Sequence, residues 1–360
     1  MVLAGGGTGG HVYPALAVAE ALADGPSAHE LLYIGARGRM DEGLVKPTGI
    51  PFEAVRAAPI RVSSPLAALR NAATLLAGTV QAWIALRRFR PDVVFATGGY
   101  ASVPVGLAAR SRRRPLVVYL PDVTPGWAVR LLASLATVIA TTTDQSLLQL
   151  PARKSRVVGY PVRGDFWSAR RSDARTRLGL PQDELVLLVT GASQGARSMN
   201  RAVVEQLDGL LASCRVLHVT GLSDEKEVRK VRDALPEPMQ ERYHVIGFLD
   251  DMPGAMVAAD LALMRSGASV LGELPAAGLP AVLVPGVYAA GHNQRDNAQF
   301  LAEQGAAVVL ENEQLDKLSD VIRELLADES RRRSMAEAMR KLARPNAAKD
   351  IARILEEVAA

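Results

Sequence analysis

The sequence predicts an α/β protein built of two parallel-sheet domains, each wound on both faces by helices. Three observations carry this. Short β-branched runs that end at or near glycine alternate with longer helix-like patterns, the alternation runs through both halves of the chain, and a glycine-rich turn stands early in each half. The strand candidates are 31–35, 93–98 and 116–120, then 185–191, 216–221 and 281–285. Turns at Gly5 to Gly10 and at Gly191 to Ala196 give each half a Rossmann-like opening, and the two halves are expected to face one another across a cleft. Only Met1 to Ala4 precede the first turn, so either the true start lies upstream or this strand is a short edge.

A chain of 360 residues with 49% hydrophobic content exceeds the length at which one core usually stops growing. Gly159-Tyr-Pro-Val-Arg-Gly164 closes one β/α series before a fresh helix, which sets the domains at 1–162 and 163–344. A C-terminal helix near 345–360 is expected to pack back onto the first domain. The single cysteine, Cys214, rules out a disulfide framework, and the first residues show no basic and apolar signal segment. Apolar runs break well short of the roughly 20 residues that a membrane span needs. Residues 1–160 carry 17 Lys and Arg against 9 Asp and Glu, a balance of +8; the whole chain is +4, so the remainder is −4. A basic first half suits a phosphate-rich partner, whether anionic lipid, nucleic acid or a pyrophosphate substrate, or is simply a solvated face.

Ala4-Gly-Gly-Gly-Thr-Gly-Gly-His11 reads as strand, glycine turn and then a helix over 14–23. Glycines let backbone approach a ligand closely, and a helix start offers free amides with partial positive charge. Gly5, Gly7 and Gly10 also satisfy G-x-G-x-x-G, which makes a dinucleotide site the first alternative. The ribose-binding acid expected after the second strand is missing, because Tyr33-Ile-Gly-Ala-Arg-Gly-Arg39 ends in basic residues. His11 is either a polar residue at a helix start or a titratable imidazole facing a ligand. Thr97-Gly-Gly-Tyr-Ala-Ser-Val-Pro104 repeats the strand-to-helix turn, with its helix over 105–109, and the two turns read as walls of one crevice.

In the second half, Thr190-Gly-Ala-Ser-Gln-Gly-Ala196 brings amides and the Ser193 hydroxyl to a helix start suited to a diphosphate. Glu273 stands among small apolar residues, where vicinal ribose hydroxyls are a natural partner for a buried acid. Asn293-Gln-Arg-Asp-Asn-Ala298 supplies amides suited to sugar hydroxyls. Together these fragments describe a nucleotide-sugar site.

At these residues the chain closely resembles the MurG family of bacterial peptidoglycan glycosyltransferases, which add N-acetylglucosamine to lipid I to make lipid II. The resemblance covers nearly the whole chain. It runs through Gly5 to His11, Thr97 to Pro104, Gly159 to Arg163, Ser193 to Ala196, Phe248 to Met252, Arg265 to Ala268, Glu273 with its Gly-Leu-Pro, and Gln294 to Ala298. It implies the two-domain GT-B architecture, with donor bound mainly by the second domain and acceptor by the first. Phe248 and Leu249 would flank uracil, Glu273 would hold the ribose, and Ser193 with Arg163 would meet the diphosphate. Arg265, Ala268, Asn293 and Gln294 would complete the donor pocket. Thr8 and His11 would lie on the acceptor side. Gly9, Gly10 and Tyr100 of the two turns, and Gln194 beside Ser193, are further candidate substrate contacts.

Two departures stand out. Where the family commonly reads His-Glu-Gln-Asn before Pro-Gly, this chain has Tyr119-Leu-Pro-Asp122 before Pro125-Gly126, so an acceptor-side Asn becomes Asp122; Asn293 stands where many relatives carry His or Gln. The implied reaction inverts the sugar: the acceptor 4-hydroxyl attacks the anomeric carbon, UDP departs, and His11 or Asp122 takes the proton. The second glycine turn and Arg163 would meet the leaving-group charge. No D-x-D triplet occurs, and neither metal nor cofactor is expected. The implied substrates are UDP-N-acetylglucosamine and lipid I, with a related transferase of different acceptor as the alternative. An NAD(P)-dependent oxidoreductase rests on the glycine pattern alone, and a non-catalytic nucleotide-sugar module would not need His11.

Residues 66–90 place Leu69, Leu76, Val80, Trp83, Ile84 and Leu86 among Arg70, Arg87, Arg88 and Arg90, which fits an interfacial helix on anionic lipid or an ordinary core-facing one. Arg110-Ser-Arg-Arg-Arg114 adds charge on the membrane side of that choice. Without an aromatic stacking array or a recognition helix, nucleic acid is not an expected partner. The expected location is peripheral, on the cytoplasmic face of the cell membrane.

Overall fold

The computed structural model describes residues 1–59, 64–191, 196–286 and 293–360. They form two compact units, 1–163 with 344–360, and 164–343.

The first unit is a seven-stranded sheet of β1 (Val2–Gly6), β2 (Leu32–Ala36), β3 (Phe52–Val55), β4 (Val94–Gly99), β5 (Leu116–Leu120), β6 (Val138–Thr141) and β7 (Ser155–Val157), in the order β3-β2-β1-β4-β5-β6-β7. All neighbours are parallel. Strands buried on both faces read as continuous apolar runs, and their period of two divides each run between two cores. Leu3, Tyr33, Phe95, Val117 and Tyr119 point to one layer with the helix Gly9–Ala23. Val2, Ile34, Val94, Leu116 and Val118 point to the other, with the helices Pro65–Phe89, Ser102–Ser111 and Trp127–Leu135. The helix Ala347–Ala359 closes the first layer, its Ile351, Ile354 and Leu355 recurring at helical spacing and packing with Val12, Leu16 and Leu22.

Two expectations change here. The first strand is not a short edge: it takes Gly5 and Gly6 into its ladder and sits mid-sheet between β2 and β4. The helix after it begins at Gly9 rather than at 14, so His11 lies in its first turn. Glycines that are poor helix interiors are tolerated at a start, where the amides have no intrahelical acceptor in any case.

The helix Pro65–Phe89 turns small residues, Gly78, Ala82 and Ala85, together with Leu86, toward the body. A Cβ on Gly78 would lie 1.9 Å from the Arg56 carbonyl oxygen, so the helix approaches its neighbour at backbone distance. The large aliphatics face away: Leu66, Leu69, Leu76, Val80 and Ile84 are each more than half exposed. Trp83 is half-buried and carries the Arg112 guanidinium 4.8 Å from its ring centre. Among the described residues no helix is long and apolar enough to cross a membrane.

The second unit is a six-stranded parallel sheet of β8 (Val186–Thr190), β9 (Arg215–Val219), β10 (Tyr243–Ile246), β11 (Leu261–Arg265), β12 (Ala281–Val284) and β13 (Ala307–Val309), in the order β10-β9-β8-β11-β12-β13. Its core joins Leu187, Val189, Val216, Leu261 and Leu263 to helices bearing Met199, Val203, Ile322 and Leu325. In both units the chain winds outward from the first strand, then returns and winds the other way. The reversal falls between β1 and β4, and between β8 and β11; open sheets of this kind take their ligands there, beyond the carboxyl ends of the strands.

Candidate active site

In the first unit the two glycine turns leave the sheet at that reversal and press against each other. A Cβ on Gly5 would lie 2.1 Å from Thr97 Oγ1, and one on Gly99, at φ +75°, would lie 2.0 Å from the Gly6 carbonyl oxygen. Glycine is needed at both for lack of room. Across the junction the backbone is clasped twice. Thr97 Oγ1 donates to the His11 carbonyl at 2.6 Å, and His11 Nδ1 lies 2.9 Å from the Thr97 carbonyl oxygen. A carbonyl only accepts, so Nδ1 carries the hydrogen and neutral His11 holds its lone pair on Nε2. Among the described residues Nε2 has no hydrogen-bond partner.

Around His11 the turns gather several expected residues. Thr8 precedes the helix Gly9–Ala23 in extended conformation, exposed, with no side-chain capping bond. Gly10 is half-buried, and its carbonyl accepts from the Tyr160 hydroxyl at 3.4 Å. Tyr100 is partly exposed, its ring 4.0 Å from where a Cβ on Gly7 would stand. Arg163 lays its guanidinium 5.2 Å from the Tyr13 ring centre, on the same helix as His11.

The departure at 119–122 divides. Tyr119 is wholly buried in β5, its hydroxyl 2.7 Å from Thr142 Oγ1 and donating to the Gly159 carbonyl at 3.2 Å, and burial raises its pKa well above the ordinary phenol value. Leu120 enters the opposite core layer. Of this segment's two polar side chains, Asp122 alone emerges, half-buried in the loop beyond β5.

The acid missed after the second strand is Asp41. It stands two residues past Arg39 and is wholly buried, accepting from the Gly7 amide at 2.8 Å and the Ala36 amide at 2.8 Å. It therefore faces the first glycine turn rather than a ribose. Its partner at Gly7 is 34 residues away, and nothing local in the sequence signals the contact.

In the second unit the expected donor residues lie beyond the carboxyl ends of β10, β11 and β12. Ser193 and Gln194, beyond β8, lie outside the described residues. Phe248 and Leu249 follow β10, Phe248 with 47% of its surface exposed and Leu249 half-buried. Arg265 ends β11 and is already engaged: it donates to the Val284 and Pro285 carbonyls at 3.3 and 3.1 Å, to Asn312 Oδ1 at 3.2 Å and to Ser198 Oγ at 2.7 Å. Burial lowers its pKa. Ala268 is buried beside it in sequence, and Glu273 is half-buried in the first turn of the helix Val270–Ala277, where the helix dipole favours an acid. Asn293 opens the helix Asn293–Glu303; Gln294 Oε1 accepts from the Gly286 amide at 2.7 Å, tying that helix to the end of β12.

The two sheets, with chemistry-bearing turns at their reversal points, are matched by comparison with known proteins. Residues 1–141 match the glycosyltransferase family 28 N-terminal domain and residues 186–352 the glycosyltransferase family 28 C-terminal domain. The chain belongs to glycosyltransferase family 28. A relative from Roseiflexus sp. (strain RS-1), named UDP-N-acetylglucosamine--N-acetylmuramyl-(pentapeptide) pyrophosphoryl-undecaprenol N-acetylglucosamine transferase, is 41% identical over 98% of this chain and 94% of that protein. A relative of the same name from Moorella thermoacetica is 37% identical over 99% of this chain and 98% of its own. The crystal structure of Acinetobacter baumannii MurG superposes with a TM-score of 0.75 at 26% identity, covering 99% of each chain. A family 28 glycosyltransferase is an enzyme of group transfer, so the oxidoreductase and the purely binding alternatives fall away.

Proposed function

We propose that this family 28 enzyme transfers N-acetylglucosamine from UDP-N-acetylglucosamine to the 4-hydroxyl of the N-acetylmuramyl-pentapeptide on undecaprenyl pyrophosphate, converting lipid I to lipid II in peptidoglycan synthesis. The observation that carries this reading is the 41% identity to a transferase of that name across 98% of the chain. In the proposed reaction the acceptor oxygen forms its bond to the anomeric carbon from the face opposite the leaving group. The bond from that carbon to the diphosphate oxygen breaks, its electron pair leaves on UDP, and the configuration inverts. The acceptor proton goes to a base, a contribution of about 10²–10⁴-fold.

His11 suits the base by tautomer, since the Thr97 carbonyl holds the hydrogen on Nδ1 and leaves Nε2 to accept. Asp122 is the competing candidate. Thr8, Gly9, Gly10 and Tyr100 are assigned to the acceptor. Phe248 and Leu249 are assigned to uracil, Glu273 to the ribose, Ser193, Gln194 and Arg163 to the diphosphate, and Ala268, Asn293 and Gln294 to the remaining donor contacts. Arg265, whose hydrogen bonds join the ends of β11 and β12 to Ser198, supports the donor pocket from beneath as well as lining it.

We assign the outward aliphatic face of the helix Pro65–Phe89, with the basic residues near it, to the anionic cytoplasmic surface of the membrane, where a polyprenyl-linked acceptor resides. A changed acceptor is the second reading, favoured by Asp122 as the polar side chain of the altered segment that emerges from the core. Offering the purified enzyme several UDP-sugars with lipid I, and identifying products by mass spectrometry, tests both readings. A product heavier by one N-acetylhexosamine, formed only from UDP-N-acetylglucosamine, supports the first. No product from lipid I with any donor sinks it.

A further inference from the structure

The Asp41 carboxylate is placed where no substrate reaches it, yet it touches the turn that leads into His11. Gly6 and Gly35 make room for it. A Cβ on Gly6 would lie 1.9 Å from Asp41 Oδ2, and one on Gly35 would lie 3.1 Å from the Asp41 Cβ. Oδ1 accepts from the Gly7 amide and Oδ2 from the Ala36 amide, both at 2.8 Å, and the side chain is wholly buried. A buried carboxylate is costly unless hydrogen-bonded, so the two bonds and the burial enforce one another. Gly7 sits at φ +94°, a left-handed conformation that the chain leaves within one residue, because Thr8 is extended and the helix starts at Gly9. The carboxylate thus holds the turn from the β2 side while Thr97 holds it from the β4 side, and the helix carrying His11 departs from between those two anchors.

We propose that Asp41 is a positioning residue for the transfer reaction: it locks the first glycine turn so that His11 presents Nε2 to the acceptor hydroxyl. A second consequence concerns the ligand. The Gly7 amide is consumed by an internal anion, so this turn offers an incoming group only the amides beyond it, at Thr8, Gly9 and Gly10. The inference rests on the reading of His11 as base.

Asp41→Asn keeps the shape but turns a donor NH₂ toward one of two amides, so one anchor is lost and replaced by repulsion. The expected result is a fall of at least tenfold in single-turnover rate, with UDP affinity and donor KM unchanged within twofold. In a His11→Ala background the same substitution is expected to cost less than twofold, because residues acting through one another are not additive. A rate within twofold of the parent overturns the proposal, and so does an equal loss in both backgrounds. A parallel loss of UDP affinity and rate also overturns it, since that is the mark of a general structural defect. Full activity of His11→Ala alone sinks the base assignment and, with it, the route through His11, and is distinguished by being seen without any change at Asp41. If Asp41→Asn does not fold, hydrogen exchange at the Gly7 amide of the unsubstituted enzyme decides: strong protection is expected, and exchange at the rate of an open turn refutes the anchoring bond.

Discussion

His11 Nδ1 lies 2.9 Å from the carbonyl oxygen of Thr97, and the residue that orients the ring also donates its hydroxyl to the His11 backbone. His11 and the second glycine turn therefore form one clasped substructure rather than mere neighbours. On the proposed mechanism, His11→Ala lowers the single-turnover rate by about 10²–10⁴-fold. Calorimetric UDP affinity is expected to stay within twofold, since the proposed assignment puts the uracil and ribose contacts, Phe248, Leu249 and Glu273, in the second unit. Asp122→Ala, measured alongside, assigns the base to whichever residue carries the larger loss, and full rate in both variants removes both.

Gly99 and Gly6 meet backbone to backbone, and the same geometry separates two costs of replacing a glycine. Gly99→Ala meets both a φ of +75° and a Cβ 2.0 Å from an oxygen; Gly38→Ala meets a φ of +70° with nothing within 4 Å. Left-handed strain is of order 1–3 kcal/mol for a non-glycine residue and is common to the two. Gly99→Ala is expected to lose more stability than Gly38→Ala by about 1 kcal/mol or more, read from urea midpoints, as overpacking adds to strain. Equal midpoints would mean that the turns can part without cost.

In the second unit, His218 is buried between the Tyr243 hydroxyl, 2.8 Å from Nδ1, and Asn200 Oδ1, 3.1 Å from Nε2. Burial pushes its pKa down to about 3 from an ordinary 6.5. The unfolded chain therefore binds a proton below about pH 6.5 that the folded chain refuses until about pH 3. The stability this histidine contributes is complete above the upper value and is lost as pH falls through that window, with a slope reaching about 1.4 kcal/mol per pH unit. His244, also lowered by burial, acts in the same direction. Denaturant midpoints between pH 7 and pH 5 are expected to fall, and His218→Gln is expected to flatten the slope; an unchanged slope excludes His218 as its source.

The fold was legible because the alternation of β-branched runs and glycine turns is local. The expected 116–120 coincides with β5, and 31–35 lies one residue from β2. Helix starts were harder. Gly9, Gly10 and His11 read as loop by propensity, but at a helix start their amides lack partners whatever they do. Of the candidate site, the glycine turns stood out in the sequence, whereas Asp41 did not, because the contact that gives it meaning spans 34 residues. Tyr119 and Asp122 stand three residues apart in the altered segment, yet strand alternation sends Tyr119 into one core and Leu120 into the other. The sequence alone does not fix which face of the helix Pro65–Phe89 is buried, because large aliphatics ordinarily mark the buried side. Its close approach, at 1.9 Å from a hypothetical Gly78 Cβ to a carbonyl, admits only small residues inward along 78–85, and Leu86 turns inward only beyond that stretch.

That inversion leads to a prediction about membrane contact. Leu76, Val80 and Ile84 recur at i, i+4 and i+8, are 67%, 53% and 53% exposed, and belong to a helix whose sequence contains no acid. Arg70 and Arg87 are exposed on the same helix, while Arg88 is paired with Glu53. Apolar insertion and charge attraction are separable. Burying one such side chain contributes about 1.5–3 kcal/mol when complete, so each Leu76→Ser or Ile84→Ser change is expected to weaken partitioning onto anionic vesicles by about tenfold. Each cation adds about 1 kcal/mol near an anionic surface, and that part alone weakens with salt. Since these side chains already face solvent in the folded chain, thermal stability is expected to change by no more than about 0.5 kcal/mol. Vesicle sedimentation at low and high salt reads both contributions. Partitioning that ignores lipid charge removes the electrostatic part, and serine variants that sediment like the parent remove this helix from the membrane.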